Sequence, residues 1–436
     1  VTALAEASKT IEEATVHAAG FDIVCRRVEE SASQVLALST CSGFRSEHVG
    51  TVGYAHLVEH LLFRARTLRL DESVHASLEA VGGYSTAVTR PDSTTFLDVV
   101  PYESPDALLE RSLRARLSVV RFDRSDIENA LRVIEHEVTT RHAANAYSLD
   151  TWRGARDLAF LDAESSHDGY PAHYRPAVTA DSLLNYYRQT YLNRRVSVVA
   201  SSPDPASGLA ERLAECLDSL DLRPDTEEPA APRLRARSLT EDLLDDDARG
   251  RCYGLLALPT PEPVGDPALY LAVKVILETV LSDFPARVQD GRALAKQCQG
   301  MTVRWGQFHQ IFETRFGDLA TAEYASSVGA AARGFTRGVA EALRALTMDD
   351  ALESATIECA MRQAREYSEK SGSSIQRARW LATVIQLYGL PAGGELRPEH
   401  ILRSLTTDQL REACAWIRSV PHYARTAALG APGDLR

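Results

Sequence analysis

Gly53-Tyr54-Ala55-His56-Leu57-Val58-Glu59-His60-Leu61-Leu62-Phe63 lies in an apolar stretch, Val52 to Phe63, that has no proline and only one early glycine. Such a stretch reads as a helix. On a helix, positions 56 and 60 share a face, so two imidazoles one turn apart can each offer a ring nitrogen to one Zn2+. Glu59 projects close to the same place, where its carboxylate can take a proton from water. The order H-x-x-E-H inverts the H-E-x-x-H arrangement. With 12 His in 436 residues, chance would place this pattern in roughly 0.02 chains of this composition.

A zinc site with an open position needs a third protein ligand, which an acid on a second helix facing the first can supply. Ser125–His142 offers that helix. Ser125 can cap it, Leu131, Val133, Ile134 and Val138 are its apolar companions, and Glu128, Glu135 and Glu137 are its glutamates. Spacing alone leaves Glu135 and Glu137 both open, because a modest rotation of the helix would turn either inward.

The whole chain of 436 residues is 44% hydrophobic and 25% charged, which excludes a disordered tail, a collagen-like fibre or a coiled-coil rod and leads us to expect two or three globular domains. No run approaches the roughly 20 apolar residues of a membrane-spanning helix. Val1–Gly20, with Glu6, Glu12 and Glu13, lacks a basic then apolar leader. The expectation is therefore a cytoplasmic protein without a membrane partner. Sixty acids against 48 bases leave a net charge of −12, which argues against nucleic acid as a partner. Cys25, Cys41, Cys216, Cys252, Cys298, Cys359 and Cys414 are scattered without a C-x-x-C pair. They read as buried reduced thiols, not as a disulfide framework or a cysteine zinc site.

Asp218–Gly250 breaks the apolar rhythm with Pro224, Pro229 and runs of charge, as a linker would. It gives an N-terminal domain over residues 1–222, a linker over 223–250 and a C-terminal domain over 251–436. A faint repeat joins the two halves. Thr179-Ala180-Asp181-Ser182-Leu183 opens a helix through Tyr187 and precedes the strand-like Val196–Ala200, and Thr406-Thr407-Asp408-Gln409-Leu410 opens one through Trp416 ahead of Tyr423–Leu429. Leu209, Leu213, Cys216, Leu217 and Leu220 share a helical face. Leu271–Leu281 and Leu352 to Leu387 are long enough for helices, and Val35–Leu38, Phe96–Val100 and Gly254–Leu258 have strand length. Helix and strand mixed without regular alternation predict an α+β fold.

The stretch Gly53–Phe63 resembles the G-x-x-H-x-x-E-H-x-x-F core of the pitrilysin, insulin-degrading enzyme and mitochondrial processing peptidase family. Gly82-Gly83-Tyr84-Ser85-Thr86-Ala87-Val88-Thr89, followed by Asp92 and Thr94, resembles that family's G-G-x-x-N-A-x-T segment. The resemblance implies a zinc metalloendopeptidase with His56, His60 and Glu137 as metal ligands and Glu59 as the base. Glu137 follows His60 by 77 positions, where the family has its third ligand. Thr86, Ala87, Val88 and Thr89 would be the edge strand onto which a peptide substrate adds. Two departures stand out: Ala130 occupies the place of a glutamate seven residues before the ligand, and Thr86 that of the asparagine.

The resemblance also implies two similar α+β domains, each a mixed or antiparallel sheet with helices packed on it, forming half of a clamshell. Self-sufficient family members carry an Arg and, seven residues on, a Tyr in the C-terminal domain. Here Ala286–Lys296 aligns Gln289 and Lys296 with them, with Arg287 and Arg292 nearby. An intact zinc motif beside a changed Arg/Tyr pair looks like the zinc-bearing subunit of a heterodimer, whose homologous partner supplies the pair. Maturation of a bacterial peptide by leader removal would suit such an enzyme. A self-sufficient homodimer and a non-catalytic peptide-binding scaffold are the alternatives.

Overall fold

The computed structural model describes residues 12–43, 47, 50–64, 66–67, 73–90, 93–104, 107–118, 120–137, 140, 158–159, 178–194, 196–220, 222, 234–244, 249–261, 265–282, 319–369, 374–388 and 398–428. The first half contributes strands β1 (Glu13–Ala18), β2 (Phe21–Arg27), β3 (Ser33–Thr40), β4 (Arg66–Thr67), β5 (Tyr84–Thr89), β6 (Thr94–Pro101), β7 (Val120–Arg121) and β8 (Val196–Ser202). Six of them form one sheet in the order β1-β2-β8-β3-β6-β5, while β4 and β7 pair separately. Only β2 and β8 run parallel; the other neighbours are antiparallel. Helices α1 (Tyr54–Arg64), α2 (Val74–Glu79), α3 (Leu108–Leu117), α4 (124–137), α5 (Ala180–Tyr187) and α6 (Ala206–Asp218) accompany this sheet.

The second half repeats the plan. Strands β9 (Leu239–Asp242), β10 (Arg249–Pro259), β11 (Leu319–Val328) and β12 (Tyr423–Ala428) lie in the order β11-β10-β12-β9, with β9 and β12 parallel. Read against the first sheet, β9, β12, β10 and β11 take the places of β2, β8, β3 and β6. Its helices are α7 (Pro267–Ser282), α8 (Gly329–Arg344), α9 (Asp350–Glu369), α10 (Ser374–Tyr388), α11 (Pro398–Ser404) and α12 (Thr407–Ser419). The repeat read from sequence has a physical basis at both places. Thr179 forms a capping box with Ser182 ahead of α5, Thr406 forms one with Gln409 ahead of α12, and each helix leads into an inner strand of its sheet.

Two boundaries differ from the sequence reading. Leu239–Asp242, assigned to the linker over 223–250, is strand β9, and β10 already begins at Arg249. Alternating half-buried and exposed residues in an L-T-E-D edge strand leave too little apolar signal to distinguish it from a connector. Ser125 does not cap α4, because the helix begins at Arg124 and the backbone carbonyl of Asp123 accepts from Asp126 and Ile127.

The first sheet is buried on both faces. Ile23, Cys25, Leu36, Leu38, Phe96, Val198 and Ala200 pack with α1, α3 and α6, whereas Val24, Val35, Ala37, Leu97, Val99 and Val199 belong to the core built with the second half. That explains why these strands read as continuous apolar runs and not as alternating ones. Helix α10 lies across β8, β3 and β6, and Ser197 Oγ donates to Gln386 Oε1 at 3.2 Å. Of the described cysteines, Cys25, Cys216, Cys252, Cys359 and Cys414 are buried and Cys41 is half-buried, all as free thiols; Cys298 lies outside the described residues. Among the described residues no helix is long and apolar enough to cross a membrane.

The glycine pair before β5 sets where that strand starts. Gly82 has φ +80°, and a Cβ on Gly83 would stand 2.5 Å from the Val99 carbonyl oxygen and 3.0 Å from that of Leu78. Gly83→Ala must therefore push β5 off β6, and we expect it to cost about 1–3 kcal/mol. Urea denaturation of the variant checks this; an unchanged midpoint would contradict the close approach.

Candidate metal centre

Helix α1 is buried along most of its length, with Ala55, Leu57, Val58, Leu61 and Leu62 in the core. Its start is fixed by the buried Glu47. The Glu47 carboxylate accepts the backbone N–H of Gly53 at 2.7 Å and of Ala55 at 2.6 Å, meeting N–H groups that no helical carbonyl can reach. The residue that follows Ala55 is His56, so this clamp sits directly beside the histidine pair.

His56 Nε2 and His60 Nε2 lie 3.1 Å apart. Glu137, from α4, places Oε2 3.4 Å from His60 Nε2 and 3.7 Å from His56 Nε2. Three donor atoms so spaced come within about 0.2 Å of three corners of a tetrahedral Zn2+ shell, whose bonds of about 2.0–2.2 Å put neighbouring corners about 3.3–3.6 Å apart. The donor set of two imidazoles and a carboxylate suits zinc as well. Side-chain exposures of 11%, 21% and 27% for His56, His60 and Glu137 leave the cluster open on one side, as a site that also admits a reactant needs.

Glu59 is buried and also offers an oxygen within 4.8 Å of the histidine nitrogens. Its Oε2 accepts the hydroxyl of Thr89 at 2.6 Å. Glu135, the rival of Glu137 in the sequence, is exposed. Ala130 is packed in the apolar core, so nothing charged stands where the resemblance expects a supporting glutamate. Tyr191 lies nearby, fully buried; burial pushes its phenol up, so it remains a neutral neighbour of Glu59.

Thr86, Ala87, Val88 and Thr89 all lie on β5, which among the described residues is the end strand of the sheet and pairs only with β6. Tyr84 and Thr86 are exposed, and Ser85, Ala87 and Thr89 alternate with them toward the other face. Ser85 is anchored below. Its hydroxyl donates to Asp98, which also accepts Arg116 Nη2 at 2.7 Å and Arg116 Nε at 3.2 Å, and the Arg116 guanidinium lies 4.3 Å over the Phe96 ring. Arg287, Gln289, Arg292 and Lys296 lie outside the described residues.

Sequence reasoning missed Glu47 and the Asp98–Arg116 pair. An acid ahead of a helix N-terminus was a usable signal for Glu47. No local pattern announces the others.

Residues 23–153 match the family described as Insulinase (Peptidase family M16). A protein of Arabidopsis thaliana named mitochondrial-processing peptidase subunit beta is 22% identical over 195 residues, which span 42% of this chain and 34% of the relative, about a third of its length. Two solved structures share the fold. An M16-like peptidase from Alicyclobacillus acidocaldarius superimposes with a TM-score of 0.68 at 15% identity, covering 97% of this chain and 99% of that one. A protease from Helicobacter pylori gives 0.67 at 15% identity, covering 95% and 98%. The family match falls on the segment that carries the histidine helix, and the fold shared with the two solved structures extends over both halves, so the chain resembles the M16 peptidases in its first half by sequence and throughout by fold.

Proposed function

We propose that the chain is a zinc-dependent endopeptidase acting on peptides or unfolded segments. The observation that carries this reading is the triangle of His56, His60 and Glu137 with edges of 3.1, 3.4 and 3.7 Å, beside a buried Glu59. His56, His60 and Glu137 would hold the ion. When bound, Zn2+ polarises the peptide carbonyl and makes water a better nucleophile near neutral pH. Glu59 takes the proton of the attacking water and returns it to the leaving amine, which lets one group serve both halves of the reaction without a covalent intermediate. The outer edge of β5, from Thr86 to Thr89, receives an extended peptide as an added strand.

We further infer that the chain works in the cytoplasm as the zinc-bearing member of a pair, on a peptide that it matures by leader removal. Gln289 and Lys296 replace the Arg and Tyr of the C-terminal segment, so a homologous partner would supply them. The named subunit among its relatives agrees with such a division of labour.

Metal analysis and cleavage of an unstructured peptide library by the purified chain test these readings together. One zinc per chain is expected, lost along with cleavage in His60→Ala. Zinc at full occupancy with no cleavage would point to the missing subunit. Cleavage by the chain alone would favour a self-sufficient homodimer, and a chain that binds no zinc would leave only the peptide-binding scaffold.

A further inference from the structure

We propose that Thr89 is a positioning residue for Glu59, fixing the orientation of its carboxylate from the same strand that would receive the peptide. The inference rests on the reading of Glu59 as the base. A carboxylate used as a base must present one oxygen to the reacting water, and a freely turning carboxylate does so only part of the time. Thr89 Oγ1 donates to Glu59 Oε2 at 2.6 Å, a short, charge-assisted bond that holds one oxygen of the carboxylate in place.

The direction of that bond follows from proton counting. Thr89 Oγ1 also lies 3.1 Å from Thr94 Oγ1, but Thr94 donates its single hydroxyl proton to the Ser42 carbonyl at 2.7 Å. Thr94 therefore meets Thr89 as an acceptor only, and between a hydroxyl oxygen and a carboxylate the Thr89 proton goes to the carboxylate. Thr89 is β-branched, so its χ1 is restricted, and its Cβ is fixed by the β5–β6 register that pairs it with Thr94.

The arrangement also links binding to chemistry. On the inner face of β5, Ser85 is tied to Asp98 at one end and Thr89 to Glu59 at the other. A peptide added along the outer edge of β5 would lie on a strand whose far end already holds the base.

Thr89→Val keeps the shape and removes the hydroxyl, and Thr89→Ser restores it. In the zinc-loaded protein, with its partner chain if one proves necessary, Thr89→Val should lower kcat by about 10–100-fold with KM within about threefold, while Thr89→Ser returns kcat to within about threefold of wild type. In a Glu59→Gln background the Thr89→Val change should add nothing. Wild-type kcat in Thr89→Val, or no recovery in Thr89→Ser, would overturn the inference while leaving the peptidase reading intact. A Glu59→Gln variant as active as wild type would instead overturn the reading of Glu59 as the base, and this inference with it. Crystal structures of the zinc-loaded variants give a second readout that does not depend on turnover. The Glu59 carboxylate should turn away from its wild-type place in Thr89→Val and keep it in Thr89→Ser, and an unmoved carboxylate in Thr89→Val would refute the proposal even if no substrate were ever cleaved.

Discussion

Glu59→Gln is expected to lower kcat/KM for peptide cleavage by about 10²–10⁴-fold, the usual contribution of a positioned general base, with zinc content unchanged. The side chain keeps its length and can still accept the Thr89 hydroxyl through its amide oxygen, so the helix and the cluster of His56, His60 and Glu137 stay in place. What disappears is the ability to take a proton. Because His56, His60 and Glu137 supply the triangle of donors without Glu59, the prediction separates two readings of the same cluster. Were Glu59 a metal ligand, the substitution would strip zinc as well as activity. Metal analysis beside the rate distinguishes the two, and zinc loss in Glu59→Gln would refute the assignment of the base.

Asp98→Ala should be the most destabilising single change in the first half, by about 3–5 kcal/mol against a total of about 5–15 kcal/mol for a typical domain. Asp98 and Arg116 have side chains only 1% and 2% exposed. Removing the carboxylate leaves a guanidinium that cannot lose its charge, buried against Phe96, and also releases the hydroxyls of Ser85 and Ser112. The cost is dominated by the stranded charge, not by the lost attraction. For that reason Asp98→Ala combined with Arg116→Met should recover much of the stability that Asp98→Ala alone loses. Urea denaturation of the two variants checks the pair of expectations; a loss below about 1 kcal/mol in the single variant would contradict them.

How far the sequence could be read follows from the kind of signal each feature leaves. β3, β6 and β10 were visible as Val35–Leu38, Phe96–Val100 and Gly254–Leu258 because each is apolar on both faces. The two capping boxes were visible because the helix-start rule is local. His56, Glu59 and His60 stand within one turn and a half of one helix, so their juxtaposition needs no tertiary information. Glu137 needed the resemblance, since its approach to the histidines depends on how α4 packs on α1. Thr89 was read as part of a substrate strand, but its bond to Glu59 crosses 30 residues and depends on the docking of β5 beside α1. Asp98 and Arg116 are charged residues inside the core, and charge in a sequence ordinarily signals surface.

The packing of α10 on the first sheet has a consequence for biosynthesis. β8 completes that sheet at Ser202, but the helix that covers its second face begins only at Ser374. At ribosomal rates of about 5–20 residues per second, roughly 10–30 s separate the two events. Throughout that interval Val24, Val35, Ala37, Val99 and Val199, buried in the finished protein, lack the cover of α10. The first half is thus born sticky, and its safe passage depends on a chaperone or on the prompt arrival of its own distant helix.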